Sequence, residues 1–238
     1  MQRSWSWIAV RLVAACAALF LAMWGLGKLL THVLVHGWVG RTDDSIERNL
    51  LAGRTSFWNS VTKAGTWLAE PITVEVALVV LVIAIAIKTR RLAPPLFLAV
   101  TVGVESGLYF VVSTLDHRPR PPIPRLGKGD PLASYPSGHV AAAICLYGGL
   151  AVLAWVLNSP RAVRWTLTVL AVLIPPAVGL CRMYRGFHHL SDVVAGAVLG
   201  LVWLTVTTRI LLLTATRPAA RRTPADAAEP KPAGRLAG

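Results

Sequence analysis

A chain of 238 residues with 55% hydrophobic and only 15% charged side chains is not a soluble domain, which carries about 25% charge; the mean hydropathy of +0.58 puts it in a bilayer. The formal net charge of +13 does not mark a nucleic-acid partner, because no nucleic-acid-binding module can be read in the chain. The cations stand between long apolar runs instead, where they suit loops beside anionic lipid headgroups and a site for an anionic substrate. Cys16, Cys145 and Cys181 are scattered in or beside apolar segments, so neither a zinc site nor a disulfide framework is expected.

A spanning helix needs ~20 mostly apolar residues. The first candidate, Trp7–Val35, is long, lacks a small-residue cleavage site and precedes further spans, so it reads as a span rather than a secretory signal. The stretch 36–70 is too polar to cross. Within it, Ser45–Leu68 carries Ile46, Leu50, Leu51, Phe57, Trp58, Val61 and Trp67 at helical spacing. This predicts one or two short interfacial helices, acting as a lid or as a plain solvated connector. Five more spans follow at Ile72–Ile87 (extendable back to Trp67), Pro94–Leu115, Gly138–Leu157, Val163–Leu180 and Leu190–Leu213. In span five, Pro175-Pro176 is expected to break the helix. The expected architecture is an all-α integral membrane protein. A six-helix membrane domain covers residues 1–216, and a disordered basic cytoplasmic tail covers 217–238, rich in Ala, Pro and Arg.

Six spans return the chain to its starting side. Lys88, Arg90 and Arg91 lie there, as do Arg161, Arg164, Arg217, Arg221 and Arg222. That side, with both termini, is therefore expected to be cytoplasmic. Two acids interrupt apolar runs, Glu75 and Glu105, and charges at such depth are costly. Glu75 reads as a headgroup-level or a functional residue. Glu105 is deeper; it lines a groove, pairs with an arginine or plays a protonated structural part.

Three polar clusters fall on the opposite, extracytoplasmic face. Asp116-His117-Arg118-Pro119-Arg120-Pro121-Pro122 follows span three, Tyr135-Pro136-Ser137-Gly138-His139 precedes span four, and Cys181 to Asp192 joins spans five and six. Hydropathy alone brings them together. Phosphoryl transfer needs cations and N–H donors around the phosphate oxygens. Arg120 and Arg182 offer planar forks from two clusters. Gly138 opens a helix whose N-terminal amides bind anions, and Ser137 adds a hydroxyl that also suits a cap. His188 and Asp192, four apart, share one helix face; a carboxylate on one ring nitrogen would set the tautomer and free the other to attack. His189, three before Asp192, fits nearly as well on spacing. His139 is the candidate general acid. With a histidine nucleophile the reaction requires no metal or other cofactor.

In these residues the chain resembles the type 2 phosphatidic acid phosphatase (PAP2) superfamily, whose pattern is Lys-x6-Arg-Pro, then Pro-Ser-Gly-His, then Ser-Arg-x5-His-x3-Asp. Arg120-Pro121 matches the end of the first motif, Pro136 to His139 the whole second, and Arg182, His188 and Asp192 the spacing of the third. The resemblance implies a phosphohistidine on His188 rather than His189, oriented by Asp192. His139 would protonate the leaving group and then activate water, with Arg120, Arg182, Ser137 and the Gly138 amide holding the phosphate. Two positions depart from the pattern. Ser113 stands where the lysine belongs, and Cys181 where the serine does; Arg118 and Arg185 are candidates to replace the lost cation.

The expected function is therefore a membrane lipid phosphate or diphosphate phosphatase. An outward-facing site favours a polyprenyl diphosphate, as in cell-envelope synthesis, with phosphatidylglycerophosphate and phosphatidic acid as alternatives. A phosphotransferase with another acceptor is a second reading. An anion-binding transporter using Glu75 and Glu105 as coupling groups is a third, although no interrupted span in the first half pairs with Pro175-Pro176. The substrate is a lipid phosphate in the bilayer; the sequence does not indicate an oligomeric state.

Overall fold

The computed structural model describes residues 5–128 and 133–213; the expected tail at 217–238 lies outside them. The chain is a helical bundle. Helix α1 (Trp5–His32) is followed by a short 3₁₀ turn and by two helices at one end of the bundle, α2 (Trp38–Ala52) and α3 (Ser56–Trp67). Then come α4 (Pro71–Thr89) and α5 (Ala93–Asp116). The fourth span runs as α6 (Gly138–Ala143), a widened π turn (Ile144–Gly148) and α7 (Gly149–Val156). The last two are α8 (Arg161–Tyr184) and α9 (Leu190–Thr207). Among the described residues, six helical stretches are long and apolar enough to cross a membrane, as expected.

Local chemistry sets several of the ends. Prolines stand in the first turns of α4 and α5, where a missing N–H costs nothing. Thr55 caps α3 by accepting from the Trp58 amide at 3.2 Å. The Pro175-Pro176 pair does not break its span: α8 runs through it as one helix. Spanning helices tolerate proline because their neighbours hold the segment in place.

The core is built where α1, α5, α6 and α9 meet, around Met23, Phe97, Leu98, Val102, Val112, Leu199 and Trp203, all but sealed from solvent. At Gly196 a β-carbon would fall 2.4 Å from the Ser137 carbonyl oxygen. Only glycine therefore lets α9 lie against the start of α6, and this contact puts Ser137–His139 beside His188–Asp192. Glu105 sits in this core, fully buried, and neither of its oxygens has a hydrogen-bond partner among the described residues. Glu75 is exposed, about one turn into α4 from the α2–α3 end.

The two helices of the 36–70 stretch are tied to the bundle. Arg54 donates from Nε and Nη2 to the Tyr184 carbonyl at 3.0 and 2.7 Å and from Nη1 to the Pro124 carbonyl at 2.6 Å. The Tyr184 hydroxyl accepts from the Thr55 amide at 3.0 Å. Helix α3 packs along α8, with Cys181 Sγ against Gly65. The cysteine that replaces the family serine is thus a helix-packing residue here. Phe57, Trp58, Trp67 and Leu68 remain exposed, as an interfacial helix requires.

Candidate active site

Four helix ends converge where the three polar clusters meet: the C-termini of α5 and α8 and the N-termini of α6 and α9. Asp192, in the first turn of α9 and fully buried, is the hub. Its Oδ2 accepts from Ser134 Oγ at 2.5 Å and from the His189 amide at 2.9 Å. Its Oδ1 accepts from Arg118 Nη1. Its carbonyl accepts from the Ser137 amide at 3.0 Å.

His188 is 2% exposed. Its Nδ1 lies 2.7 Å from the Ser134 carbonyl oxygen, an atom that can only accept. Nδ1 therefore carries the proton, and Nε2 keeps its lone pair. Asp192 Oδ2 is 4.0 Å away, outside hydrogen-bond range. The expected carboxylate-to-imidazole bond is replaced by a bond to a backbone carbonyl, because three donors already occupy the Asp192 oxygens. Burial, reinforced by the charges of Arg182 and Arg120 and by His139, holds the His188 pKa well below the ordinary imidazole value. The ring is neutral at physiological pH, with the lone pair on Nε2.

Both guanidinium groups beside it lean on one aromatic ring. The Arg182 and Arg120 head carbons lie 4.0 and 5.3 Å from the Phe187 ring centroid, and Arg120 also donates to the Phe187 carbonyl. Gly138 packs so tightly on Tyr109 that a β-carbon would fall 2.8 Å from the ring. The Ser137 hydroxyl does not cap α6. Among the buried polar atoms without a hydrogen-bond partner in the described residues are three from these motifs: Ser137 Oγ, His139 Nε2 and Arg182 Nε. Such orphans are rare in folded proteins, and here Arg182 and His139 lie close enough to the neutral His188 to act on its charge, with Ser137 tied to the Asp192 carbonyl. The arrangement can bind a tetrahedral anion and attack it.

Residues 94–214 match the PAP2 superfamily. The chain belongs to that superfamily. It is a multi-pass membrane phosphatase. Among solved structures it is similar to a transmembrane PAP2 type phosphatidylglycerolphosphate phosphatase from Bacillus subtilis. The two are 22% identical with a TM-score of 0.67, over 82% of this chain and 94% of that one. No curated protein matches.

Within this PAP2 site the two candidate replacements for the lysine have other work. Arg118, 3% exposed, bonds Asp192, donates to Ser191 Oγ at 2.9 Å and pairs with Asp43 at 3.3 Å. Arg185 bonds the Asn59 carbonyl at 3.3 Å and the Leu126 carbonyl. A buried guanidinium must be paired: carboxylates pair the buried Arg118, and carbonyls accept from the half-buried Arg185. Ser113 is buried and bonds back to the Phe110 carbonyl at 3.1 Å.

Sequence reasoning missed Asp43 and Glu47, one turn apart on α2 and both buried. Asp43 accepts from the Ser191 amide at 3.0 Å and from its hydroxyl at 2.5 Å. Glu47 Oε1 lies 2.5 Å from His189 Nδ1, and His189 Nε2 lies 3.2 Å from the Pro119 carbonyl. Their i,i+4 spacing was the available signal, but in a polar segment it reads as a solvated face. Phe187 was hidden among the polar residues of the third cluster.

His189 faces an acceptor on each ring nitrogen, so it is an imidazolium. Burial opposes that charge, but the Glu47 bond and the nearby Asp192 outweigh it, and its pKa is raised. A raised histidine pKa gives stability that is complete below the unfolded value of about 6.5 and is lost as pH rises through the folded value. The Tm difference between wild type and His189→Gln in detergent should therefore be largest below about pH 6.5 and shrink as pH rises above it.

Proposed function

We propose that this protein removes phosphate from a membrane lipid through a phosphohistidine on His188, without a metal. The observation that carries the reading is the buried, neutral His188, its Nδ1 proton held by Ser134 and its Nε2 free, flanked by the orphaned donors of Ser137 and Arg182. In the first step His188 Nε2 bonds to phosphorus and the bond to the leaving oxygen breaks. His139 gives that oxygen its proton. Arg120, Arg182, Ser137 Oγ and the Gly138 amide hold the phosphoryl oxygens. The ring gains positive charge as it bonds; the Ser134 carbonyl and the Asp192 carboxylate at 4.0 Å stabilise it. In the second step water attacks phosphorus, His139 takes its proton, and the P–N bond breaks to release phosphate and neutral His188.

Lys88, Arg90, Arg91, Arg161 and Arg164 lie at the other end of the bundle. We infer that this end and both termini face the cytoplasm, with the site outside. An outward site suits a polyprenyl diphosphate. The likeness to a phosphatidylglycerolphosphate phosphatase from Bacillus subtilis supports a phosphatidylglycerophosphate-type monoester, which we favour. The test is phosphate release by purified protein from phosphatidylglycerophosphate, phosphatidic acid and a polyprenyl diphosphate. Release from one of them by wild type supports the reading and names the substrate. A stable phosphoenzyme without release points to the acceptor-dependent transferase, and no phosphoenzyme with any lipid overturns the reading.

A further inference from the structure

Glu70 has no place in the family pattern, yet its Oε2 lies 3.5 Å from His139 Nε2, a buried atom with no hydrogen-bond partner among the described residues. The backbone that carries it is pinned. Tyr147, on the widened turn of the fourth span, donates to the Leu68 carbonyl at 2.9 Å. Ala69 is buried and packs with Ala143 and Val178. Pro71 starts α4 immediately after Glu70. The backbone at Glu70 is thus held at a set point, and its side chain, 45% exposed, reaches His139 from there.

The charge of the pocket is graded: the fields of Arg182 and Arg185 reach Glu70 and those of Arg182 and Arg120 reach His139, but Glu70 adds negative charge on the His139 side. Arg120 and Arg182 stand beside His188, where the transferred phosphoryl group is bound. Glu70 stands beside His139, where the leaving group departs. We propose that Glu70 is a specificity-determining residue that selects lipid phosphomonoesters whose departing oxygen is an alcohol with a neighbouring hydroxyl, and rejects diphosphates. The proposal rests on the reading of His139 as the leaving-group acid. The departing end of an alcohol leaving group carries no charge once protonated (in phosphatidylglycerol the phosphodiester sits at the far end of the glycerol), and a neighbouring hydroxyl would donate to the exposed Glu70 oxygen. The leaving group of a diphosphate is itself a phosphate, and its anionic oxygens would face the Glu70 carboxylate. Discrimination by like-charge repulsion is an ordinary specificity device.

The experiment compares wild type with Glu70→Gln in detergent, measuring kcat/KM for phosphatidylglycerophosphate and for a polyprenyl diphosphate. A like-charge contact in a part-exposed site corresponds to roughly a tenfold effect. The diphosphate-to-monoester ratio should therefore rise by about tenfold or more in Glu70→Gln, chiefly through faster diphosphate hydrolysis. An unchanged ratio overturns the proposal, whether both rates fall together, as for a residue that only orients His139, or both persist. A wild-type measurement that needs no variant stands beside it: the preference for monoester should weaken as salt is raised and screens the carboxylate. A preference independent of salt overturns the proposal, as does a wild type that prefers the diphosphate. Trapping of acid-labile phosphoenzyme in the same wild-type samples tests the underlying reaction separately. Its absence sinks the phosphohistidine reading, whereas its presence with an unmoved ratio sinks only the role of Glu70.

Discussion

His188→Ala should lose phosphate release by roughly 10⁴-fold or more, the scale set by removing a nucleophile that acts as a unit with its partners. It should also form no acid-labile phosphoenzyme. His139→Ala should differ in kind. It keeps the nucleophile, so a substrate with a good leaving group such as p-nitrophenyl phosphate should still phosphorylate the protein, and discharge by water should slow by about 10²–10⁴-fold. The two variants together separate attack from proton transfer. His189 offers no substitute nucleophile, because Glu47 and Pro119 occupy both of its nitrogens. Residual activity above about one part in a hundred in His188→Ala, against the loss expected for a nucleophile, would show that His188 is not the attacking group.

Arg118→Ala is the second large effect, and it distinguishes a positioning residue from a phosphate ligand. The guanidinium joins Asp192, Ser191 and Asp43 at a site closed to solvent. Its removal leaves two buried carboxylates without their cation, at a cost of about 3–5 kcal/mol. The expected result is a marked fall in Tm and in kcat, with inhibition by vanadate little changed in the protein that remains folded. Asp43→Ala should lower Tm in the same direction, since it breaks the same cluster from the α2 side. Weaker vanadate binding by Arg118→Ala with an unchanged Tm would return Arg118 to the phosphate shell in place of the missing lysine.

The six spans, the side of the membrane shared by the three polar clusters and the helical character of the 36–70 stretch are all written in the order of residues. Hydropathy acts over ~20 consecutive positions, so a single strand of sequence carries it. The pairing of Pro136–His139 with Arg182–Asp192 was legible for a related reason: both sit at span ends, and the bilayer brings span ends to one plane. Partner choice within that plane was not legible. The acceptor for His188 Nδ1 is a backbone carbonyl at Ser134, which no side-chain pattern encodes. The use of Arg118 turns on Asp43, 75 residues away, and that of His139 on Glu70, carried to it by the packing of Leu68–Ala69 under Tyr147. Charges and hydrogen bonds are satisfied by whatever the folded chain delivers within about 3 Å. Their identity is therefore decided by tertiary structure, while the residues that need them are declared by sequence.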